Sequence, residues 1–426
     1  MGNSVSSGLS KESVKEVFEE KLPRSERYLG LENFGNTCYV NATLQALRFC
    51  EVFRHKVIAY EAYEAAEADE GTAGSRGKEE TILSCLSELF RTIEESRRRT
   101  GSVAPRKFVQ KVKDENELFR GYQHQDAHEF LSYLLNNMAE TLRGEAAARE
   151  KKERAGGEGE GEGEGEGKGE AAGTTGKGDA TADIASRRTF VDDIFRGTLN
   201  TETKCLWCEN VTTRKEPFYD LSLEIEDNES LAACLGQFSS DETMKDDEKY
   251  FCDRCGKKQE AVKRMRIAET PEVLCCHFKR FKYVESLGQM RKLMNRVVYP
   301  FDLQLDSSNT TDCCEDEGRY TLVAAVVHMG LHMHHGHYIA LIKSSDQWLC
   351  FDDDQVTPIS EAQVRNTYGG DGEGKGGKPS TEHSYILFYE RARRTHGDGD
   401  GDGDWDDNED EDEGGATATD VVTEDV

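Results

Sequence analysis

The sequence predicts an α+β fold in which a helical first third is followed by a long succession of strands. Three observations carry this. Apolar residues recur at helical spacing at Leu44 and Leu47, at Ile82, Leu86, Leu89, Phe90 and Ile93, and at Phe130, Leu131, Leu134 and Leu135. Beyond about residue 197 the pattern changes to short β-prone runs, and Tyr320 to His328 is nearly continuous in apolar residues, as a central strand requires. Two Cys-x-x-Cys pairs lie within that β region and imply a separately stapled arm.

At 426 residues and 47.8 kDa the chain can bury a large core, and one domain with subdomains is expected. Polar tracts dilute its hydrophobic fraction to 36%. The formal charge of -29 is uneven: the stretch from Gly397 onward holds fourteen Asp and Glu and no Lys or Arg. Nucleic acid is therefore not an expected partner, and a zinc-ribbon nucleic-acid module is disfavoured. Thirteen cysteines, an odd count, with no recognisable signal peptide, point to a reducing compartment, cytoplasm or nucleus, and to metal in place of disulfides. No apolar run is long enough to cross a membrane, the longest being Leu322 to Val327.

Residues 1–28 read as a flexible amino-terminal segment with a charged helix around Ser10 to Lys21. Its opening, Met1-Gly2-Asn3-Ser4-Val5-Ser6, fits the N-myristoylation pattern at Gly2. One acyl chain gives at most weak, peripheral membrane association, and no polybasic patch or nearby cysteine adds a second anchor. Gly30 to Asn41 is then a loop turning into a helix: Asn33, Gly35 and Asn36 favour turns, and Thr37 suits an N-cap. Cys38 falls in the first helical turn, where unpaired N–H groups and the positive dipole end favour thiolate. The competing reading is a buried cysteine acting as a small hydrophobe.

Ala59 to Lys78 reads as a helix end and a loop, Thr81 to Arg97 as an amphipathic helix, and Pro105 as a break. Gln123 to Leu131 enters another helix, with Asp126 and Glu129 on one face of its first turn. These carboxylates either complement the helix dipole or form a receptor for arginines. The Glu-Gly and Lys-Gly repeats from about 144 to 178, or 185 with their flank, read as a disordered insertion. Gly197 to Lys204 and Phe218 to Ile225 are strand-like. Around them, Cys205, Cys208, Cys252 and Cys255 can place four thiolates on one tetrahedral ion, a structural zinc at the tip of an extended β arm. A redox motif is the rival for one pair alone. Cys275, Cys276, Cys313 and Cys314 read as core or loop residues.

Leu274 to Phe281 reads as a strand, followed by a basic loop through Arg291 and a strand at Arg296 to Tyr299. Gly330 to Gly336 is a glycine-punctuated loop, His337 starts a strand, and Trp348, Phe351 and Asp352-Asp353-Asp354 complete a hairpin. A cysteine at a helix start, a histidine at a strand start and an acid on the neighbouring strand are the Cys-His-Asp arrangement of papain-like cysteine hydrolases. Against this stand a structural role for His337 and a metal site among the loop histidines.

Gly30 to Tyr39, Gln125-Asp126-Ala127-His128-Glu129-Phe130, the paired Cys-x-x-Cys knuckles and Gly336-His337-Tyr338-Ile339-Ala340 resemble the ubiquitin-specific protease family, over Tyr28 to Glu390. Phe34-Gly35-Asn36 and Phe351-Asp352-Asp353-Asp354 are most similar to its small catalytic-domain-only members, those activated by WD-repeat β-propeller proteins. The resemblance implies a papain-like fold over 29–390: a helical thumb (about 29–142), zinc-bearing β fingers (197–275) and a palm (189–196 and 276–390), with an acidic disordered tail at 391–426. It implies a deubiquitinating cysteine protease that needs no catalytic cofactor. Cys38 would be the nucleophile, His337 the general base, and Asp352 the residue that orients the imidazole, with Asp353 its rival. Asn33 would serve the oxyanion hole with the Cys38 N–H, Asp126 and Glu129 would grip arginines of the ubiquitin tail, and Gly336 and Tyr338 would flank a channel admitting only Gly-Gly. The partners implied are ubiquitin, ubiquitinated proteins and a propeller activator. The alternative function is a catalytically weak ubiquitin-binding scaffold, active only with that partner. Two departures, His124 in place of glutamine and Ala42 in place of serine, are read as lying clear of the triad.

Overall fold

In the computed structural model the described residues are 16–61, 80–157 and 187–392, less 227–228, 286–287, 312–317, 333–334, 370–372 and 375–377. Gly2, residues 62–79, most of the low-complexity insertion, Cys313, Cys314 and the acidic stretch 393–426 lie outside them.

The first half is helical. Helix α1 (Cys38–Phe49) has every residue buried, so the apolar stripe read from Leu44 and Leu47 understates it: this helix runs through the core. Helix α2 (Glu51–Ala59) follows at once. Helix α3 (Ile82–Glu94) opens with a capping box in which Thr81 Oγ1 accepts from the Ser84 N–H at 3.1 Å and Ser84 Oγ accepts from the Thr81 N–H at 2.9 Å. Helix α4 (Arg106–Glu115) starts just after Pro105. Helix α5 (Ala127–Gly157) is longer than expected, for the insertion was read as beginning near 144. Glu145 to Lys152 holds three alanines among long charged residues, all strong helix formers, and the glycine repeat starts only at Gly156. Tertiary bonds hold the extension: Tyr60 Oη donates to Glu145 at 2.5 Å, and Arg187 grips both carboxylate oxygens of Glu150 at 2.5 and 2.9 Å.

Helix α6 (Phe190–Phe195) carries a fully buried carboxylate, Asp192. It accepts from the Thr189 N–H and hydroxyl at 2.8 Å each, from Tyr219 Oη at 2.6 Å and from Arg143 Nη2 at 2.8 Å, so one side chain ties α5, α6 and the start of the β half.

The β half is an eight-stranded sheet and an arm. In chain order the arm strands are β1 (Gly197–Cys205), β2 (Val211–Phe218) and β4 (Ala261–Glu269), paired antiparallel with β1 between the other two. The large sheet comprises β3 (Leu221–Leu223), β5 (Val273–Phe278), β6 (Arg319–His332), β7 (His335–Ser344), β8 (Gln347–Asp352), β9 (Gln355–Ile359) and β10 (Glu382–Arg391), in the order β9-β8-β7-β6-β10-β5-β3, with Asp302–Gln304 alongside β6. Tyr338, Ala340 and Ile342 face the helices, while Ile339 and Leu341 face a second apolar cluster on the other side. Burial on both faces is why Tyr320 to His328 reads as unbroken apolar sequence.

Two strand expectations change. Arg296 to Tyr299 is no strand: Val298 makes an isolated bridge to Ser230, and the Val297 N–H goes to the Tyr368 carbonyl at 2.8 Å. The Gly330 to Gly336 loop is instead a hairpin tip, since β6 runs through His332 and β7 begins at His335. Gly336 permits close approach: a Cβ there would stand 2.4 Å from His328 Nε2 and 2.5 Å from the Met329 carbonyl oxygen.

Burial works to raise the Asp192 carboxyl, but the Tyr219 hydroxyl, the Thr189 amide and hydroxyl and the Arg143 guanidinium outweigh it and hold the group below its ordinary value. Its stabilising contribution is complete above the unfolded carboxyl range, about pH 4, and is lost as pH falls through the lower folded value. Asp192→Asn should cost about 3 kcal/mol at neutral pH. Urea titrations should show the gap between the two proteins narrowing below about pH 4, and a gap independent of pH would refute the ionic account.

Candidate active site

The loop from Gly30 to Thr37 turns back on itself before α1. Gly35 and Asn36 take φ of 76° and 59°, the left-handed conformations their residue types favour. Thr37 does not cap the helix with its side chain as expected. Its hydroxyl accepts from the Phe34 N–H at 2.9 Å and lies 3.3 Å from Asn33 Oδ1, which also accepts the Thr37 N–H at 3.1 Å. The Cys38 N–H, the first of the helix, has no acceptor among the described residues. An unpaired donor at a helix start, beside a thiol, is a position where negative charge is stabilised.

Cys38 is 2% exposed. Burial tends to raise its thiol, but the His124 and His337 imidazoles outweigh burial and lower it to about 7. His337 stands near the start of β7 and donates from Nε2 to Asp352 Oδ1 at 2.5 Å, which leaves Nδ1 for the thiol. Burial tends to lower that imidazole, and Asp352 together with Cys38 raises it to about 10. Between these two values thiolate and imidazolium coexist.

Asp352 is the last residue of β8, and Asp353 is in the turn, at φ 51°. Strand alternation therefore does not separate them, and both carboxylates approach His337, Asp353 Oδ2 at 4.0 Å. Asp353 has other partners: Oδ2 accepts from Asn33 Nδ2 and Oδ1 from Asn41 Nδ2, each at 2.8 Å. Asn33 is exposed and so keeps its second amide N–H for an incoming group.

Two expected residues are placed differently from what was read. Tyr338 was expected to flank a channel, but it is 1% exposed and stacks on His124 at 5.1 Å. Neighbours on a strand point to opposite faces, so His337 reaching Asp352 sends Tyr338 into the floor of the site. Gly336 is exposed above it. Asp126 is 8% exposed, and its oxygens take the His128 N–H at 2.7 Å and Tyr385 Oη at 2.6 Å. Glu129 is exposed with no hydrogen-bond or ion-pair partner for its carboxylate among the described residues, and it lines a cavity of about 660 Å³ with Phe281, Tyr283, Leu293 and Tyr385.

His124 was read as lying clear of the triad, and that is corrected: its Nε2 lies 3.4 Å from Cys38 Sγ. Nothing in the sequence near His124 signals this, because fold alone brings the two together. Lys292 supports the same region, donating to the carbonyls of His328, Gly330 and Thr381 at 2.9, 2.9 and 3.0 Å, with its Nζ also 2.9 Å from His328 Nδ1.

At the arm's tip, Cys205, Cys208, Cys252 and Cys255 bring their sulfurs within 4.8 Å of one another, a group able to hold a metal ion. Cys208 to Cys252 is 3.6 Å and Cys205 to Cys255 is 4.0 Å, which bracket the separation of about 3.8 Å that tetrahedral zinc-thiolate bonds of about 2.3 Å would set.

The chain is similar to known proteins over most of its length. The family model described as ubiquitin carboxyl-terminal hydrolase matches residues 29–389. The chain is 43% identical to ubiquitin carboxyl-terminal hydrolase 4 of Arabidopsis thaliana, over 90% of this chain and 98% of that one. It is 41% identical to ubiquitin carboxyl-terminal hydrolase 12 of Salmo salar, over 88% and 93%. Identity is 40% to ubiquitin carboxyl-terminal hydrolase 46 of Caenorhabditis elegans, over 92% and 95%. Among solved structures, the SAGA DUB module Ubp8/Sgf11/Sus1/Sgf73 bound to monoubiquitin matches with a TM-score of 0.62 at 23% identity, over 87% of this chain and 71% of that one.

The shorter contact to Asp352 predicts that this carboxylate, more than Asp353, sustains the raised His337 value. Histidine NMR titration should show His337 falling from about 10 by well over one unit in Asp352→Asn and far less in Asp353→Asn. The reverse order would make Asp353 the orienting residue.

Proposed function

The chain belongs to the ubiquitin carboxyl-terminal hydrolase family, and from that membership we propose that it is a deubiquitinating thiol protease cutting the isopeptide or peptide bond after the terminal glycine of ubiquitin. The observation that carries the reading is a buried thiol, lowered to about 7, facing an imidazole whose other nitrogen is held by a carboxylate.

The proton of Cys38 passes to His337, and Asp352 stabilises the imidazolium. The thiolate attacks the glycine carbonyl carbon, and the oxyanion accepts from the Cys38 N–H and the second N–H of Asn33. Collapse expels the lysine amine, which takes the proton from His337 and leaves a thioester on Cys38. A water then gives a proton to His337 and attacks the thioester, and the departing thiolate restores the resting pair. Glu129, whose carboxylate lines the cavity and has no partner among the described residues, would take an arginine of the ubiquitin tail, and Asp126 would act by positioning the first turn of α5. Gly336, lacking a side chain, would leave room over the thiol for a Gly-Gly tail alone.

The four-cysteine group would hold structural zinc, and a reduced thiol together with four free thiolates suits the cytoplasm or nucleus. Beside that group Leu206, Trp207 and Phe251 are exposed at 47%, 76% and 56%, an apolar surface on which a propeller activator could dock.

Cys38→Ala should abolish turnover of a ubiquitin-fluorophore substrate and leave ubiquitin affinity intact, with residual rate below about one part in a thousand. In the unaltered protein turnover should be bell-shaped in pH with limbs near 7 and 10, since thiolate is present only above the first and imidazolium only below the second. Cys252→Ser should lose one zinc per chain by native mass spectrometry and lose activation by a propeller partner, yet still alkylate at Cys38. Full activation without zinc would remove the arm from the account.

A further inference from the structure

We propose that His124 is a further catalytic residue, donating its Nε2–H to the Cys38 sulfur and holding it as thiolate independently of His337. The proposal rests on the reading of Cys38 as nucleophile, and the geometry supplies the rest. His124 Nε2 is 3.4 Å from Cys38 Sγ. The ring is 5% exposed and cannot turn away, because Tyr338 stacks on it at 5.1 Å and 9° and His328 meets it edge-on at 6.0 Å and 72°.

The tautomer follows from what lies behind the ring. His124 Nδ1 is buried with no hydrogen-bond partner among the described residues. A buried N–H left without an acceptor is rarer and costlier than a bare lone pair, so the proton of the neutral ring belongs on Nε2, toward the sulfur. In that state His124 can donate to a thiolate and cannot accept a proton from a thiol. Its role therefore differs from that of His337, which moves a proton to the leaving amine and must cycle. Among the described residues the ionisable groups in contact with His124 are Cys38, Tyr338 and His328. His328 is itself neutral, lowered to about 2 by burial and by Lys292, whose Nζ lies 2.9 Å from its Nδ1. Thiolate character would thus persist even in molecules whose His337 is out of place.

The test is the pH dependence of iodoacetamide alkylation at Cys38, read by peptide mass in the full chain. The unaltered protein should inflect near pH 7. His124→Leu should move the inflection up by about one unit, giving roughly tenfold slower alkylation at pH 6 and an unchanged rate at pH 10. His124→Gln, whose amide also donates, should recover most of the loss. His337→Ala should retain a lowered inflection, and the double variant with His124→Leu should return Cys38 to the ordinary thiol range. A His124→Leu profile that superimposes on that of the unaltered protein would overturn the proposal, as would His337→Ala alone giving an ordinary thiol. The second comparison stands even if His124→Leu fails to fold, and thermal denaturation of each variant controls for that. An unaltered chain with the low inflection but no turnover of ubiquitin-fluorophore would instead count against the proposed function and leave the role of His124 in place.

Discussion

Asp353 fastens the helical half of the molecule to the β half, and the relation between Cys38 and His337 depends on it. Its carbonyl accepts the Leu31 N–H at 2.8 Å, and its carboxylate accepts from Asn33 and Asn41 at the same distance. Leu31 and Asn33 precede Cys38 and Asn41 follows it, while Asp353 directly follows Asp352. Gly30 makes the approach possible, since a Cβ there would stand 2.5 Å from the Asp353 carbonyl oxygen. A hydrogen bond to a charged group is worth about 1.5–3 kcal/mol, so this seam can hold two distant chain segments in register. Lys292 does similar work under the hairpin that carries His337, joining β6 to β10 through three carbonyls. Burial lowers its ammonium to about 6, so the clasp has its full set of N–H donors only as pH falls through that value.

What was legible in the sequence was whatever short-range chemistry determines. Turn residues before Cys38 announced the helix start, the Cys-x-x-Cys spacing announced the four-thiol cluster, and the apolar run at Tyr320 to His328 announced the strand at the middle of the sheet. The helix and strand content, and the family that the motifs resemble, were equally open to reading. The roles assigned to individual residues came from that resemblance, not from periodicity.

What stayed hidden depends on distance in sequence or on a single backbone angle. Asp352 and Asp353 could not be separated by strand alternation, because the turn begins between them. The inward face of Tyr338 follows from register, and the contact of His124 with Cys38 arises only when β7, α1 and the approach to α5 are packed together. Composition misled at α5 as well: glycine repeats further on drew attention from the alanine and glutamate run that keeps the helix going.

The way α5 ends has a consequence for how this chain can vary. Arg187 returns to Glu150 on the helix with two hydrogen bonds, which pins the start of the next described segment to α5. Closing a loop of n residues costs entropy as the logarithm of n, about 0.6 kcal/mol for each doubling. With Arg187 pinned to α5, a change in the number of residues joining Gly157 to Arg187 would alter the closure entropy only slowly. That makes the junction a natural place for lineage-specific elaboration, and a permissive site for grafting a reporter without touching the seam that aligns the thiol.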